Sequence, residues 1–205
     1  ASDPMLRALQ AELTRSKSRL KMENVDSPFY IEYRVFDVDQ FEARAAFGAL
    51  RDQNRTRLRV LRAVVRLGDY KLDSFFNTGQ GVSDILPLDN DELAIRHTVW
   101  LATDQAYKRA SEAFSNKKAQ LKQLNIDQPV DDFAKAEPTV SIGPAAKLDA
   151  DPAKWTRMLE SATSVYKKDP VIQSFSASVN FMVISQYFVN TEGTVTRRGA
   201  AHYQV

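Results

Sequence analysis

The sequence predicts an α+β fold, a largely antiparallel sheet built from two α-β-β-β units with one long helix packed on it. Three observations carry this reading. Asp3-Pro4 and Asp151-Pro152 each open an amphipathic helix, the Asp accepting from orphan N–H groups and the Pro standing where no donor is needed. Each opening is followed by three strand-like runs, 29–38, 41–50 and 55–67 after the first, 171–179, 181–189 and 194–205 after the second. Between them, Leu93, Trp100, Tyr107, Phe114 and Leu121 recur every seven residues along one helix face. The expected organisation is one domain over 1–205, with a first unit at 3–76, the long helix at 90–124, a connection at 125–150 and a second unit at 151–205.

In the first helix Leu6, Leu9, Leu13 and Leu20 form the apolar face, with Arg7, Arg15, Lys17 and Arg19 elsewhere on the wheel. Phe29, Ile31, Tyr33 and Val35 alternate with Tyr30, Glu32 and Arg34, and Phe41, Ala43, Ala45 and Phe47 alternate with Glu42 and Arg44. Asp37-Val38-Asp39-Gln40 reads as the hairpin between them. In the third run the charged positions change from Arg55, Arg57 and Arg59 to Arg62 and Arg66, which predicts a β-bulge between Arg59 and Arg62. The strand breaks at Gly68-Asp69. Tyr70 to Phe76 reads as a short edge segment, and 77–89 as loop.

Asp89, Asp91 and Glu92 at one end of the long helix and Lys117, Lys118 and Lys122 at the other complement its macrodipole. The connection 125–150 carries Pro129, Pro138, Gly143 and Pro144 with little periodicity, and its length suggests a docking role. In the last helix Trp155, Met158, Leu159, Ala162, Val165 and Tyr166 form the expected buried stripe. Asn190-Thr191-Glu192-Gly193 is a hairpin turn in which Gly193 takes the left-handed conformation.

With 205 residues, 43% of them hydrophobic, the chain can bury a sizeable core. Its 28 basic and 26 acidic residues nearly cancel, so the balance names neither a nucleic-acid nor a membrane partner. No apolar run approaches the roughly 20 residues that span a bilayer, and no membrane role is expected. The absence of cysteine removes disulfides and thiol chemistry. If Ala1 is a mature N-terminus left by a signal peptidase, a periplasmic or secreted protein is implied; otherwise a cytoplasmic one.

A metal site requires clustered ligands, and the two histidines, His97 and His202, lie far apart with no His-Glu pair. His97 borders the apolar stripe and is expected to pack; His202 sits in a terminal strand. Gly81-Val82-Ser83-Asp84 lacks the second glycine of a nucleophile elbow, and Gly79-Gln80-Gly81 is a lone G-x-G without a following lysine. Helix capping accounts for the acidic cluster at 89–92 better than cation binding does. No catalytic or metal-ligating residue is therefore assigned. The one binding candidate is the row Arg55, Arg57 and Arg59, where same-face strand cations could track phosphates or contact a protein, against a solvated, aggregation-resistant face.

Val65-Arg66-Leu67-Gly68-Asp69-Tyr70-Lys71-Leu72-Asp73, then Asp91-Glu92 through Arg96, Trp100-Leu101-Ala102-Thr103-Asp104-Gln105-Ala106-Tyr107-Lys108, and Asn190-Thr191-Glu192-Gly193-Thr194 together resemble the N-terminal region of the TldD/PmbA proteins. That family is described as zinc metallopeptidases and as modulators of DNA gyrase. The resemblance implies a non-catalytic N-terminal domain with no cofactor of its own. Zinc would be held by a His-Glu-x-x-x-His helix in a C-terminal half, to which no residue here corresponds. It also implies that this domain packs on that half, helps to wall a cavity for a peptide substrate, and takes part in a homo- or hetero-dimer. Because some members lack the metal motif, even the whole polypeptide need not be an enzyme. The alternative is a nucleic-acid-binding or stand-alone protein-interaction module using the Arg55, Arg57 and Arg59 face, with nucleic acid the less favoured partner. Thr194 to Val205 reads as a strand still running at its end, so the natural polypeptide is expected to continue.

Overall fold

The computed structural model describes residues 3–75, 81–125 and 130–205. Ala1-Ser2, Phe76, the Gly79-Gln80 pair and Pro129 lie outside them. In chain order the elements are α1 (Pro4–Arg19), β1 (Tyr30–Ala46), β2 (Ala49–Arg66), β3 (Val82–Ile85), α2 (Glu92–Leu124), β4 (Val140–Ile142), α3 (Pro152–Ser164) with a 3₁₀ turn at Val165–Lys168, β5 (Ser176–Asn190) and β6 (Val195–Gln204). The strands form one mixed sheet in the order β3-β2-β1-β5-β6-β4, with β3 antiparallel to β2 and β4 parallel to β6. The α+β class holds. Each half of the sheet is a pair of long strands that follows a helix, flanked by one short outer strand.

Several element boundaries differ from the sequence reading. The expected hairpin at 37–40 is the middle of β1, a single 17-residue strand. The turn comes at Phe47-Gly48, whose φ angles of 49° and 79° are those of a two-residue hairpin turn with both residues left-handed. Likewise 171–189 holds one strand, not two. The expected bulge in β2 is absent from its place. Arg59, Leu61, Ala63, Val65 and Leu67 are all buried, an unbroken odd series, and the register with β3 runs one-to-one from Val60 to Ala63. The charges change parity because the odd face passes from water to core, not because the strand slips. The loop expected at 77–89 contains β3, and residues 70–75 form bends tied by a Gly68–Asp73 bridge instead of a strand.

The chain divides into two compact units interleaved in sequence, 1–36, 59–143 and 186–197 in the first, 37–58, 144–185 and 198–205 in the second. Compactness thus does not follow the sequence blocks 3–76 and 151–205. In the first unit α1 and α2 pack together on Ile31, Tyr33, Val35, Leu61, Ala63 and Val65. Asp3 caps α1 through Met5 N and Leu6 N, and Asp91 caps α2 through Leu93 N at 2.9 Å. In the second, α3 covers Phe41, Ala43, Ala45, Val179 and Phe181 with Leu159, and Asp151 caps it through Ala153 N.

The buried line of α2 runs through Ile95, Val99, Ala102, Ala106, Ala110, Phe114 and Lys117, while Leu93 is 74% exposed and Trp100 40%. A strict seven-residue repeat drifts by about 20° per turn pair around a straight helix, so the heptad leaves the core face toward the N-terminus. His97, expected to pack, is exposed beside Trp100. In α3 the buried line is Leu159 and Thr163, with Trp155 half-buried, whereas Met158, Val165 and Tyr166 face water. No helix among the described residues is long and apolar enough to cross a membrane.

The first unit buries a polar chain inside its helical core. The Tyr33 hydroxyl bridges Ser16 Oγ at 3.4 Å and Thr103 Oγ1 at 2.9 Å, and Thr103 also reaches the Val99 carbonyl at 2.6 Å. Burial pushes the Tyr33 phenol up to about 12 from 10.0, its bonds to Ser16 and Thr103 opposing. A phenol raised in the folded state favours folding fully below the unfolded value. That contribution, about 3 kcal/mol for two units, is lost as pH climbs through 10 to 12. Tyr33→Phe is therefore expected to flatten the alkaline arm of the stability profile, read by denaturant unfolding across that window. An unchanged arm would assign the alkaline loss to other groups.

Candidate functional site

The residues that carry the family resemblance assemble in the first unit. Asp69 Oδ1 accepts from Lys71 N and Leu72 N at 2.9 Å each, closing a tight loop after Gly68. Those two backbone donors lower the Asp69 carboxyl below its ordinary range. The turn 190–193 closes as expected, with Asn190 Oδ1 accepting from Glu192 N and Thr194 N and Gly193 at φ 102°. Tyr70 then joins loop to turn through a 2.8 Å bond to Glu192 Oε1, which raises the phenol.

Rings fill the space between these segments. Phe29, Tyr30, Tyr70 and Phe133 pack mutually, Tyr70 stacked on Phe133 at 5.8 Å and Tyr30 edge-on to Phe133 at 4.8 Å. Arg66 lies over Phe133 at 4.3 Å and over Phe75 at 5.0 Å. Burial, with Glu32 adding, drives the Tyr30 phenol far above its usual range.

Beneath the rings sits an ionic cluster that local pattern did not reveal. Asp73 is fully buried and pairs with Arg66. Lys117, 7% exposed, spends its three donors on the Asp73 carbonyl at 3.1 Å, the Phe75 carbonyl at 3.0 Å and the Asp132 carboxylate. Asp132 also accepts from Asp73 N at 2.9 Å, and its own N–H donates to the Lys71 carbonyl. Lys117 reads from sequence as one of several cations near a helix C-terminus. The feature that could have flagged it is its place on the apolar face, three residues after Phe114.

The arginine row is not one surface. Arg59 is buried and donates to the carbonyls of Pro87 at 3.0 Å and Asp89 at 2.8 Å and to Asn90 Oδ1 at 3.0 Å, holding the segment before α2. Arg55, in the second unit, makes a two-bond contact with the Asp39 carboxylate at 3.0 and 2.8 Å. That contact holds the Asp39 carboxyl below its usual range against desolvation, Arg57 helping. Arg57 is exposed. The structure therefore brings Arg55 and Arg57 together beside Asp39 and gives Arg59 a packing role.

The second unit also presents a shallow groove of about 450 Å³ lined by Glu42, Arg44, Asp52, Ser178, Asn180 and Gln204. Its polar groups largely satisfy one another, with Gln40 donating to Glu42 and Asn180 and Arg44 lying 3.4 Å from Asp52. Among the described residues no three His, Cys, Asp or Glu side chains group closely enough to hold a metal ion.

No family model and no curated protein matches this sequence. Solved structures do match in fold. TldE from Thermococcus kodakarensis superposes with a TM-score of 0.54 at 13% identity, over 95% of this chain and 37% of that one. A candidate modulator of DNA gyrase from Thermotoga maritima gives 0.54 at 12%, over 96% and 37%. One from Bacteroides thetaiotaomicron gives 0.52 at 10%, over 98% and 40%. The chain spans well under half the length of these proteins. It has the fold of a segment of TldE and of these gyrase-modulator proteins, the fold that the TldD/PmbA resemblance implied.

Proposed function

We propose that this chain is the non-catalytic N-terminal domain of a TldD/PmbA-like metallopeptidase, and that it helps to admit a peptide substrate and to assemble a homo- or hetero-dimer. The observation that supports this most is the combination of coverage figures. The fold match takes in 95–98% of this chain yet only 37–40% of each neighbour, as a domain of a longer polypeptide would. The local geometry agrees in kind. Two of the segments that carry the resemblance, 65–73 and 190–194, are braced to each other through Tyr70 and Glu192, and the first is tied to Lys117.

On this reading zinc belongs to a C-terminal half, where paired ligands and a general base would be supplied together. The reading frame beyond Val205 is expected to encode a His-Glu-x-x-x-His segment. The whole polypeptide should cleave peptides in a zinc-dependent way, while the 205-residue chain cleaves none and retains no zinc after dialysis against a weak chelator. A stop codon directly after Val205, or stoichiometric zinc on this chain alone, would overturn the proposal.

A further inference from the structure

Ala43, Ala45, Ala177 and Val179 pack under α3 in the second unit, so strand alternation turns Arg44 on β1 and Ser176 on β5 to the opposite, open face of the sheet. On that face, adjoining the polar groove at Arg44, lies a smaller pocket of about 280 Å³. Arg44, Arg51, Ser174 and Ser176 supply its polar lining, and Phe47 and Phe175 its apolar walls. No carboxylate lines it.

Two arginines meet here because β2 changes phase. The two-residue turn at Phe47-Gly48 pairs Ala46 with Ala49, so one-to-one pairing would set Arg51 opposite Arg44 and Asp52 opposite Ala43, under α3. Instead Asp52 stands at Arg44 on the open face, and Gln53 turns to α3, where Thr156 Oγ1 donates to its Oε1 at 2.9 Å. One extra residue at 51–52, a β-bulge, reconciles the two directions and sets both Arg51 and Asp52 against Arg44. The charges there do not cancel. Arg44 meets Asp52 at 3.4 Å with both side chains more than half exposed, a contact that water screens. The side chains of Arg51, Ser174 and Ser176 make no hydrogen bond or ion pair among the described residues. Of the other carboxylates nearby, Glu42 takes a bond from Gln40, and Glu160, on α3, takes one from Leu50 N.

We propose that this pocket binds the C-terminal carboxylate of a peptide whose last side chain is apolar. The two guanidinium groups and the two hydroxyls supply charge-assisted donors for both carboxylate oxygens. Phe47 and Phe175 offer the neighbouring side chain an apolar wall, which a bare phosphate would leave unfilled. The choice of a peptide rests on the proposed admission of a peptide substrate; the anion site itself stands on the arginines.

The test is a fluorescence titration of the 205-residue chain with an N-terminally labelled Ala-Ala-Ala-Phe peptide. The free acid should bind, and its C-terminal amide, alike in every side chain, should bind at least about tenfold more weakly. Arg51→Gln should lose a comparable factor with its far-UV spectrum unchanged, and Asp52→Asn should tighten binding by removing the carboxylate that competes for Arg44. N-acetylphenylalanine should displace the peptide at a lower concentration than inorganic phosphate does. Equal binding of acid and amide, or an Arg51→Gln variant that binds as before, overturns the proposal. So does the reverse order of the two competitors, since the pocket would then read charge alone. These outcomes leave the domain reading untouched, which the reading frame beyond Val205 decides separately.

Discussion

Replacing Lys117 by Met is expected to lower the free energy of unfolding by about 3 kcal/mol, the lower part of the range for breaking a buried ion pair. Met keeps the length and most of the apolar stem, so the packing of this face of α2 changes little. The loss is electrostatic. With the ammonium gone, the Asp73 and Phe75 carbonyls each lose a donor, and the Asp132 carboxylate, 18% exposed, loses its cation. Asp73 fares better because Arg66 remains beside it, which places the effect at the lower end. Hydrogen exchange should quicken in 69–75 and 130–133 and stay slow in α1. Lys117→Met/Asp132→Asn should recover part of the loss, since removing the carboxylate that faced the ammonium removes its desolvation cost. A loss below about 1 kcal/mol would mean that the pair behaves as a solvent-screened surface contact.

Both the legible and the illegible parts of this chain follow from the range of the interactions involved. Asp3, Asp91, Asp151 and the Asn190 to Gly193 turn were readable because each side chain bonds to backbone within four residues of itself. Asp37-Val38-Asp39-Gln40 looked like a turn because three of its four residues are polar. It remains in β1 because partners from far along the chain satisfy it: Arg55 takes Asp39, and Asn180 takes Gln40. Asn180 in turn looked like a break between two apolar runs and sits inside β5. Arg59 and Lys117 were misread for want of local partners, their acceptors lying 15 to 44 positions away. The strand-forming residues of both α-β-β-β units were thus legible, and each expected triplet of strands is a pair because distant side chains satisfy the polar residues that looked like breaks.

Among the described glycines, Gly68 is expected to be the costliest to replace by alanine, at least about 3 kcal/mol. Gly68 has φ +90°, a conformation in which an L side chain is strained before any neighbour is considered. The new Cβ would also stand 2.2 Å from the Leu72 carbonyl oxygen and 2.7 Å from Phe114 Cζ. The first of these contacts is with backbone that closes the loop through Asp69 N at 3.1 Å, so relief requires opening the loop itself. That opening withdraws Asp73 and Phe75 from Lys117, and the two variants should therefore fail to add. Gly68→Ala/Lys117→Met is expected to cost clearly less than the sum of the single losses, because the glycine variant already spends part of what the lysine holds. Denaturant midpoints of the four proteins decide it. Strict additivity would show that the Gly68 turn and the Lys117 cluster stabilise the unit independently, and that Tyr70, Asp73 and Asp132 do not move as one brace.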